Sequence, residues 1–293
     1  MAAPELSPFA SLRHRNFRIF FIGQTTSLIG TWMQSVAQGW LVLQLTDSAF
    51  QVGLVSALGA LPVLLFSLPA GVYVDRANKH RIILVCQALM LMQALALTVL
   101  VATHRVTPLH VMMLATFVGA LSAIEIPARQ SFFVELVGKD DLTNAIALNS
   151  SAYNVARILG PAVAGVLIAR VGMEVCFALN AASYVAVIAG LLMMRMPPWG
   201  RPAFQGNAIT RLREGITFAR EDRRVWALIV MTAVFAIFGF PYFVLLPIFA
   251  RDVHRVGSEG LGLMSAAVGV GAVLGALGLA VFSPRARRGM IVK

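Results

Sequence analysis

An all-α membrane protein is the fold class this sequence predicts, and three observations carry that reading. The 293 residues are 58% hydrophobic and only 13% charged, with a mean hydropathy of +0.79, far from the balance of a soluble domain. The apolar residues gather into eight runs, each long enough for a spanning helix of about 20 residues. The cations gather between those runs, mostly in alternate turns. Runs of this length exclude barrel strands, which take about 10 residues of alternating character.

The first run, Ile19–Thr46, is too long for the apolar core of a signal peptide, about 7–15 residues, and reads as a retained span. Ser48–Val74 and Ile82–Thr103 follow, joined by the charged turn "VDRANKHR". Val106–Ile124 is the fourth run, and Leu142–Ala169 the fifth, interrupted only by Arg157. Val175–Met194 completes a six-helix bundle over residues 1–196. Pro197, Pro198 and Pro202 then stop the sixth helix. Residues 197–222 form a linker that leads into "ITRLREGITFAREDRR", where Ile209, Leu212, Ile216 and Ala219 fall at helical spacing between bases. That pattern fits an amphipathic helix on the inner membrane surface, or a solvated basic linker. Residues 223–293 hold the seventh and eighth runs, Val225–Ala250 and Gly260–Pro284, and the start of a further one. The layout of Ser56–Val85, a helix with a basic turn and a new apolar start, recurs in Ser265–Val292. Six spans, then two and the start of a third, read as part of a twelve-span chain.

Alternating the runs from a cytoplasmic N-terminus puts 19 of the 24 Lys and Arg on the inner side and 4 on the outer. The positive-inside rule therefore places the N-terminus inside, in a multi-pass protein of the cell (inner) membrane. Topology of this kind also accounts for the net charge of +11 without a nucleic-acid partner. Cys86 and Cys176 start helices at opposite membrane faces, too far apart for a disulfide, and read as packing residues. Nothing in the sequence bears on oligomeric state.

Chemistry-bearing residues inside the runs are few. Arg157 sits near the centre of the fifth run, where a charge costs about 2.5–3.5 kcal/mol. Asn149, Tyr153 and Asn154 lead up to it at helical spacing. The stripe reads either as a cavity wall for an anionic group or a nearby proton, or as a structural ion pair or carbonyl clamp. In the first run Gln24, Thr31, Gln34 and Gln38 share a face with Ser27. In lipid such a face turns inward, to a cavity or to hydrogen bonds with other helices. Glu125 and Arg129 flank Pro127 four residues apart and fit a pair across one turn at the inner end of the fourth helix. Glu125 is also a candidate proton carrier, as is His110, which titrates near neutral pH. Phe235, Phe238, Phe240 and Phe243 surround Pro241 and are candidates for an aromatic cavity wall or for lipid-facing bulk. Gly262, Gly269, Gly271, Gly275 and Gly278 give the eighth run a smooth surface, with Gly271 and Gly275 as a small-xxx-small pair.

"GVYVDRANKHR" resembles the loop signature of the major facilitator superfamily through Gly71, Asp75, Arg76, Lys79 and, shifted by one, Arg81. His80 stands where a base is usual. "LGPAVAG" resembles the exporter motif of the fifth helix in Gly160, Pro161 and Gly165. "LRHRNFRIFFIGQTTSLIGTWMQSVAQGWLVLQLT", "IPARQSFFVELV" and "LREGITFAREDRRV" are similar to exporters of the enterobactin-exporter type in the drug-antiporter-like branch. The resemblance implies a major facilitator fold with eight of twelve helices in this chain. It implies efflux of a small amphipathic molecule, drug or siderophore by alternating access, with a proton gradient as power source. It also implies that Asp75 latches the cytoplasmic gate against the other half, and that the fifth and eighth helices meet across the halves. The first helix carries no acid, which departs from the drug antiporters.

Two other function classes stand beside this one. A membrane enzyme needs clustered His, Asp or Glu, whereas the five histidines are scattered over loops and helix ends; no enzyme activity, cofactor or metal site is expected. The G-x-x-x-x-G-K-[ST] loop of an ATP-driven machine does not occur in the chain. A receptor or scaffold without flux is the remaining alternative, and exchange of a labelled small molecule across vesicles separates it from a transporter.

Overall fold

The computed structural model describes residues 9–196, 217–239 and 241–282. Among them every regular element is helical. A 3-10 turn, Ala10–Arg13, leads into α1 (Arg15–Thr46), α2 (Ala49–Asp75), α3 (Lys79–Ala102), α4 (Pro108–Val137), α5 (Leu142–Arg170) and α6 (Met173–Met193). After the linker come α7 (Arg223–Val234), a π-helical turn at Phe235–Gly239, α8 (Pro241–Ile248), a second π turn at Phe249–Val253, and α9 (Gly257–Phe282). The π turns flank Pro241 and Pro247, whose missing N–H groups break the regular ladder.

Among the described residues, seven helical stretches are long and apolar enough to cross a membrane: α2 to α6, Arg223–Val253 as one stretch, and α9. α1 spans 32 residues, but its Gln, Ser and Thr content leaves it outside that set. Local chemistry sets the ends. Ser48 caps α2 by accepting from the Gln51 N–H at 3.4 Å, and Asn78 caps α3 by accepting from the Arg81 N–H at 3.0 Å. Gly138, with φ 72°, ends α4 in a conformation that disfavours other residues. Of the amphipathic segment expected over residues 209–224, residues 209–216 lie outside the described residues, as does Phe240; residues 217–221 are helical.

One boundary differs from the sequence reading. α4 continues 13 residues past Ile124, to Val137. Glu125 and Arg129 therefore lie within the helix rather than at its inner end. They form an i,i+4 ion pair at 3.1 Å with side chains 6% and 15% exposed. Mutual neutralisation lets the helix continue through the charges. Phe132 and Phe133 beyond them are buried.

α1 runs through the middle and packs on α5 and α6, while α2 pairs with α4, α3 with α4 and α6, and α9 with α5. Two apolar cores divide the length. Near the Asp75 end, Phe17, Phe20, Val74, Ile83, Phe132, Phe133 and Leu191 form a core within the six-helix bundle. Toward the Asp47 end, Trp40, Val42, Leu97 and Phe177 share a core with Leu246, Ala250 and Leu261 of the later helices. The bundle and α8–α9 are thus joined at the Asp47 end, whereas α7 buries none of its residues.

Candidate functional site

A cavity of about 340 Å³ lies where the six-helix bundle meets α8 and α9. α1 contributes Thr31, Trp32, Gln34, Ser35 and Gln38, α2 and α4 contribute Ser56 and Ser122, and the later helices close it with Phe243, Pro247 and Ser265. Trp32 meets Phe243 edge-on at 5.7 Å, and on its other side Tyr153 of α5 at 5.5 Å. Edge-to-face contacts of this kind favour fixed ring orientations. Phe243 is the aromatic of the seventh run that reaches the cavity; Phe235 and Phe238 are exposed.

The glutamine face of α1 does both things the sequence allowed. Gln34 lines the cavity, and it also donates through Nε2 to Gln93 Oε1 of α3 at 3.1 Å and accepts at Oε1 from Asn180 Nδ2 of α6 at 2.7 Å. Ser183 Oγ donates to the Asn180 carbonyl at 2.7 Å. Gly30 makes room for this network: a Cβ there would stand 2.5 Å from Asn180 Oδ1 and 2.7 Å from Ser183 Oγ. Gln93, Asn180 and Ser183 were missed in the sequence, although amides in apolar helices carry the same signal as the α1 stripe.

The other candidates lie outside the cavity lining. Gln24 is buried in the bundle. Asn154 Nδ2 donates to the Ser150 carbonyl at 2.9 Å, within its own helix. Asn149 and Arg157 are half-buried, and Arg157 Nε finds no hydrogen-bond partner among the described residues. Tyr153 lies within electrostatic reach of both Arg157 and Arg129. Arg129 is in turn the ion-pair partner of Glu125 on α4. His110 occupies the third position of a capping box, its Nδ1 accepting from the Thr107 N–H at 3.3 Å.

In the "GVYVDRANKHR" turn, Asp75 is the last residue of α2 and is exposed, as are Arg76 and Arg81. Lys79 pairs with Glu135 of α4 at 2.8 Å, and His80 Nε2 bonds the Leu191 carbonyl of α6 at 2.9 Å. Gly71 has nothing within 4 Å of an added Cβ. Nearby, Asp141 receives His14 Nε2 at 2.7 Å and Arg13 Nη2 at 2.8 Å. The His14 hydrogen bond, aided by Arg13, holds its carboxyl below the usual range.

Gly160 and Gly165 are close-approach positions. A Cβ on Gly160 would stand 2.6 Å from Trp32 Cβ, and one on Gly165 would stand 2.8 Å from Gly262 Cα. Pro161 offers its carbonyl to the same contact, 2.8 Å from a Cβ built on Gly262. Among the described side chains, Gly262 and Gly269 of α9 meet α5, while Gly271 and Gly275 have nothing within 4 Å; Gly278 lies outside them. At the Asp47 end, Arg251 pairs with both Asp47 of α1 and Asp252, and Arg170 of α5 lies 3.8 Å from Glu259 of α9.

The bundle, the shared cavity and the glycine-lined α5–α9 seam describe a multi-pass helical membrane protein. The chain belongs to the transmembrane secretion effector family, whose profile matches residues 6–292. It is 27% identical over 265 residues to the staphyloferrin A transporter of Staphylococcus aureus, covering 89% of this chain and 66% of that protein. It is 30% identical over 270 residues to the multidrug efflux pump Tap of Mycobacterium bovis, covering 88% and 64%. Among solved structures, a bacterial homologue of the human lysosomal transporter Spinster, inward-facing and unoccupied, superposes with a TM-score of 0.73 at 18% identity, covering 94% of this chain and 64% of that one. The chain thus spans about two thirds of the length of these relatives.

Proposed function

We infer that the protein is a secondary active transporter of the cell membrane that exports a small amphipathic molecule, a drug or siderophore, by alternating access. The observation that carries the reading is the cavity shared between the bundle and α8–α9, with an apolar core joining both sides toward the Asp47 end. One group of helices rocking against the other would open such a cavity to alternate faces. The names of the relatives, a siderophore transporter and an efflux pump, point the same way. In this reading α1 is the eighth span and the N-terminus is cytoplasmic. Residues 1–196 form one body, residues 197–222 the linker, and residues 223–293 part of the other.

The residue roles follow from their places. Thr31, Gln34 and Gln38 face the substrate directly. Tyr153 sets Trp32 from behind, and Arg157, with an unsatisfied Nε in mid-helix, meets an anionic group or the coupling charge. Asn149 and Asn154 extend that polar wall toward the cytoplasm. Gly160, Pro161 and Gly165 give α5 the smooth face on which α9 slides. Asp75, at the exposed end of α2, is the latch toward the other half, with Gly71, Arg76, Lys79 and Arg81 shaping its turn. Glu125 is the proton carrier; His110, held in its capping box, serves mainly to start α4.

Counterflow in proteoliposomes tests the reading with labelled staphyloferrin A and a labelled macrolide as probes. Wild-type protein is expected to exchange at least one of them. Arg157→Ala is expected to abolish exchange while inserting normally. Wild-type exchange by Arg157→Ala would refute its role, and absence of exchange with every probe would favour the receptor or scaffold alternative.

A further inference from the structure

Three arginines gather where the start of α1 meets the end of α6. Arg15 donates through Nη2 to the Met193 carbonyl at 3.5 Å. The Asn16 side-chain amide donates to the Arg195 carbonyl at 3.0 Å and accepts from the Arg195 N–H at 3.4 Å. Arg18 follows Arg15 at helical spacing, and all three arginines are exposed. Among the described residues none of them enters an ion pair. Asp141, the acid that reaches the start of α1, is taken by Arg13 and His14. The uncharged run of α1 begins at Ile19, directly after Arg18, which sets these cations at headgroup level.

A shallow groove leads from the arginines along the seam of the two helices. Its floor is a close approach of backbones. A Cβ on Gly190 would stand 3.3 Å from Ile19 Cγ2, and one on Gly23 would stand 3.3 Å from Val187 Cα and 3.6 Å from the Ala186 carbonyl oxygen. On the α1 side Ile22 is 63% exposed and continues the Arg15–Arg18 face. On the α6 side Ala182, Ala186, Ala189 and Met193 are exposed at helical spacing, and the alanines keep that wall low. Thr31 of the cavity lies about two and a half turns beyond Ile22, so the groove is on the opposite face of α1. From Ala182 to Met193 it runs about 16 Å, close to one leaflet of a hydrocarbon core about 30 Å thick.

We propose that this groove binds one anionic phospholipid, its phosphate held by Arg15, Arg18 and Arg195 and one acyl chain laid along Ile22, Ala186 and Ala189. A guanidinium matches a phosphate with paired N–H donors, which an ammonium cannot do. Each arginine near an anionic lipid surface adds about fivefold in affinity. A solvated basic turn would need no apolar groove beside it, and an ordinary lipid-facing seam would need no cations without acids. The two features together match a molecule with an anionic head and an apolar tail. Placement in the inner leaflet rests on the cytoplasmic N-terminus proposed above; the site itself does not rest on the transport reading.

Native mass spectrometry of the full chain, released from mixed micelles with equal phosphatidylglycerol and phosphatidylcholine, reads which lipid stays bound. Wild-type protein should retain one phosphatidylglycerol at least tenfold over phosphatidylcholine. Arg18→Gln and Arg195→Gln should each cut that preference about fivefold, and the double variant should abolish it. Arg18→Lys should keep part of it, and Arg105→Gln, at an exposed position between α3 and α4, should leave it unchanged. Ala186→Trp should fill the groove and lower retention with every arginine in place; should that variant fold poorly, the arginine variants at exposed positions decide. Equal retention of the two lipids, wild-type preference in the double variant, displacement of the lipid by inorganic phosphate alone, or a protein dimer seated on the groove instead of lipid would each overturn the proposal. A wild-type protein that exchanges substrate without preferring phosphatidylglycerol would count against this site alone. One that prefers the lipid and exchanges nothing would count against the transport reading alone.

Discussion

α1 and α2 are neighbours in sequence and opposites in design. α1 carries the glutamines, serines and threonines, yet buries Gln24, Ser27 and Gln34 beside Trp40 and Leu41. α2 is far more apolar, yet leaves Leu61, Leu64, Leu65, Phe66 and Leu68 uncovered. In water the order would be reversed. Lipid tails solvate leucine and cannot solvate an amide, so the polar helix goes to the centre and the greasy one to the rim. High hydropathy here goes with surface that the described residues leave uncovered, and low hydropathy with burial inside the bundle.

Substitutions matched between the two helices can break that comparison. The largest effect is expected from glycines. Gly30→Val drives a side chain into Asn180 and Ser183, where a Cβ already meets Asn180 Oδ1 at 2.5 Å, whereas Gly53→Val in α2 meets nothing within 4 Å. Thermal unfolding in detergent should show a loss of about 3 kcal/mol or more for the first, with overpacking as the cause, and little change for the second. Gln34→Leu should come next, at about 1–3 kcal/mol, because Gln93 and Asn180 both lose a buried partner. Leu64→Ala on the lipid side should stay within about 0.5 kcal/mol.

A pH series sharpens the contrast at the start of α1. Asp141, whose carboxyl is held low by His14 and Arg13, fastens the Ala10–Arg13 turn to α5. A depressed carboxylate contributes its stability fully above the unfolded value, about 3.9, and loses it as pH falls through the lower folded value. Protection of residues 9–18 against hydrogen exchange, taken relative to the intrinsic rate at each pH, should therefore be flat from neutral pH down to about pH 4 and fall only below it. Asp141→Asn should remove that acid limb.

The same contrast explains what could be read from the sequence. Among the described residues the apolar runs lie almost wholly in helix, because a long apolar segment must satisfy its own backbone to cross oil. The end of α4 is hidden in the sequence because Glu125 and Arg129 read as a boundary, and only folding shows that one neutralises the other inside the helix. On α9, Gly271 and Gly275 have the small-xxx-small spacing, yet Gly262 and Gly269 make the contact. Spacing defines a face but not which neighbour it meets. The cavity was legible in Thr31, Gln34 and Gln38, and in Phe243 among the aromatics, but not in Trp32 or Ser265. Those residues matter through partners that arrive from distant segments. Arg157 stands out in the sequence as a lone charge, and its Nε has no hydrogen-bond partner among the described residues.

Cysteine accessibility in intact membranes tests the inverted design most directly. Single cysteines at Thr31, Ser35 and Gln38 are compared with cysteines at Ile22, Leu64 and Leu65, in a background lacking the two buried native thiols, Cys86 and Cys176. A water-soluble thiol reagent should label the three polar-face positions of α1 and leave the three lipid-facing ones untouched. Labelling of Leu64 and Leu65 positions with none at Thr31 to Gln38 would contradict the account, because water would then lie where lipid is expected.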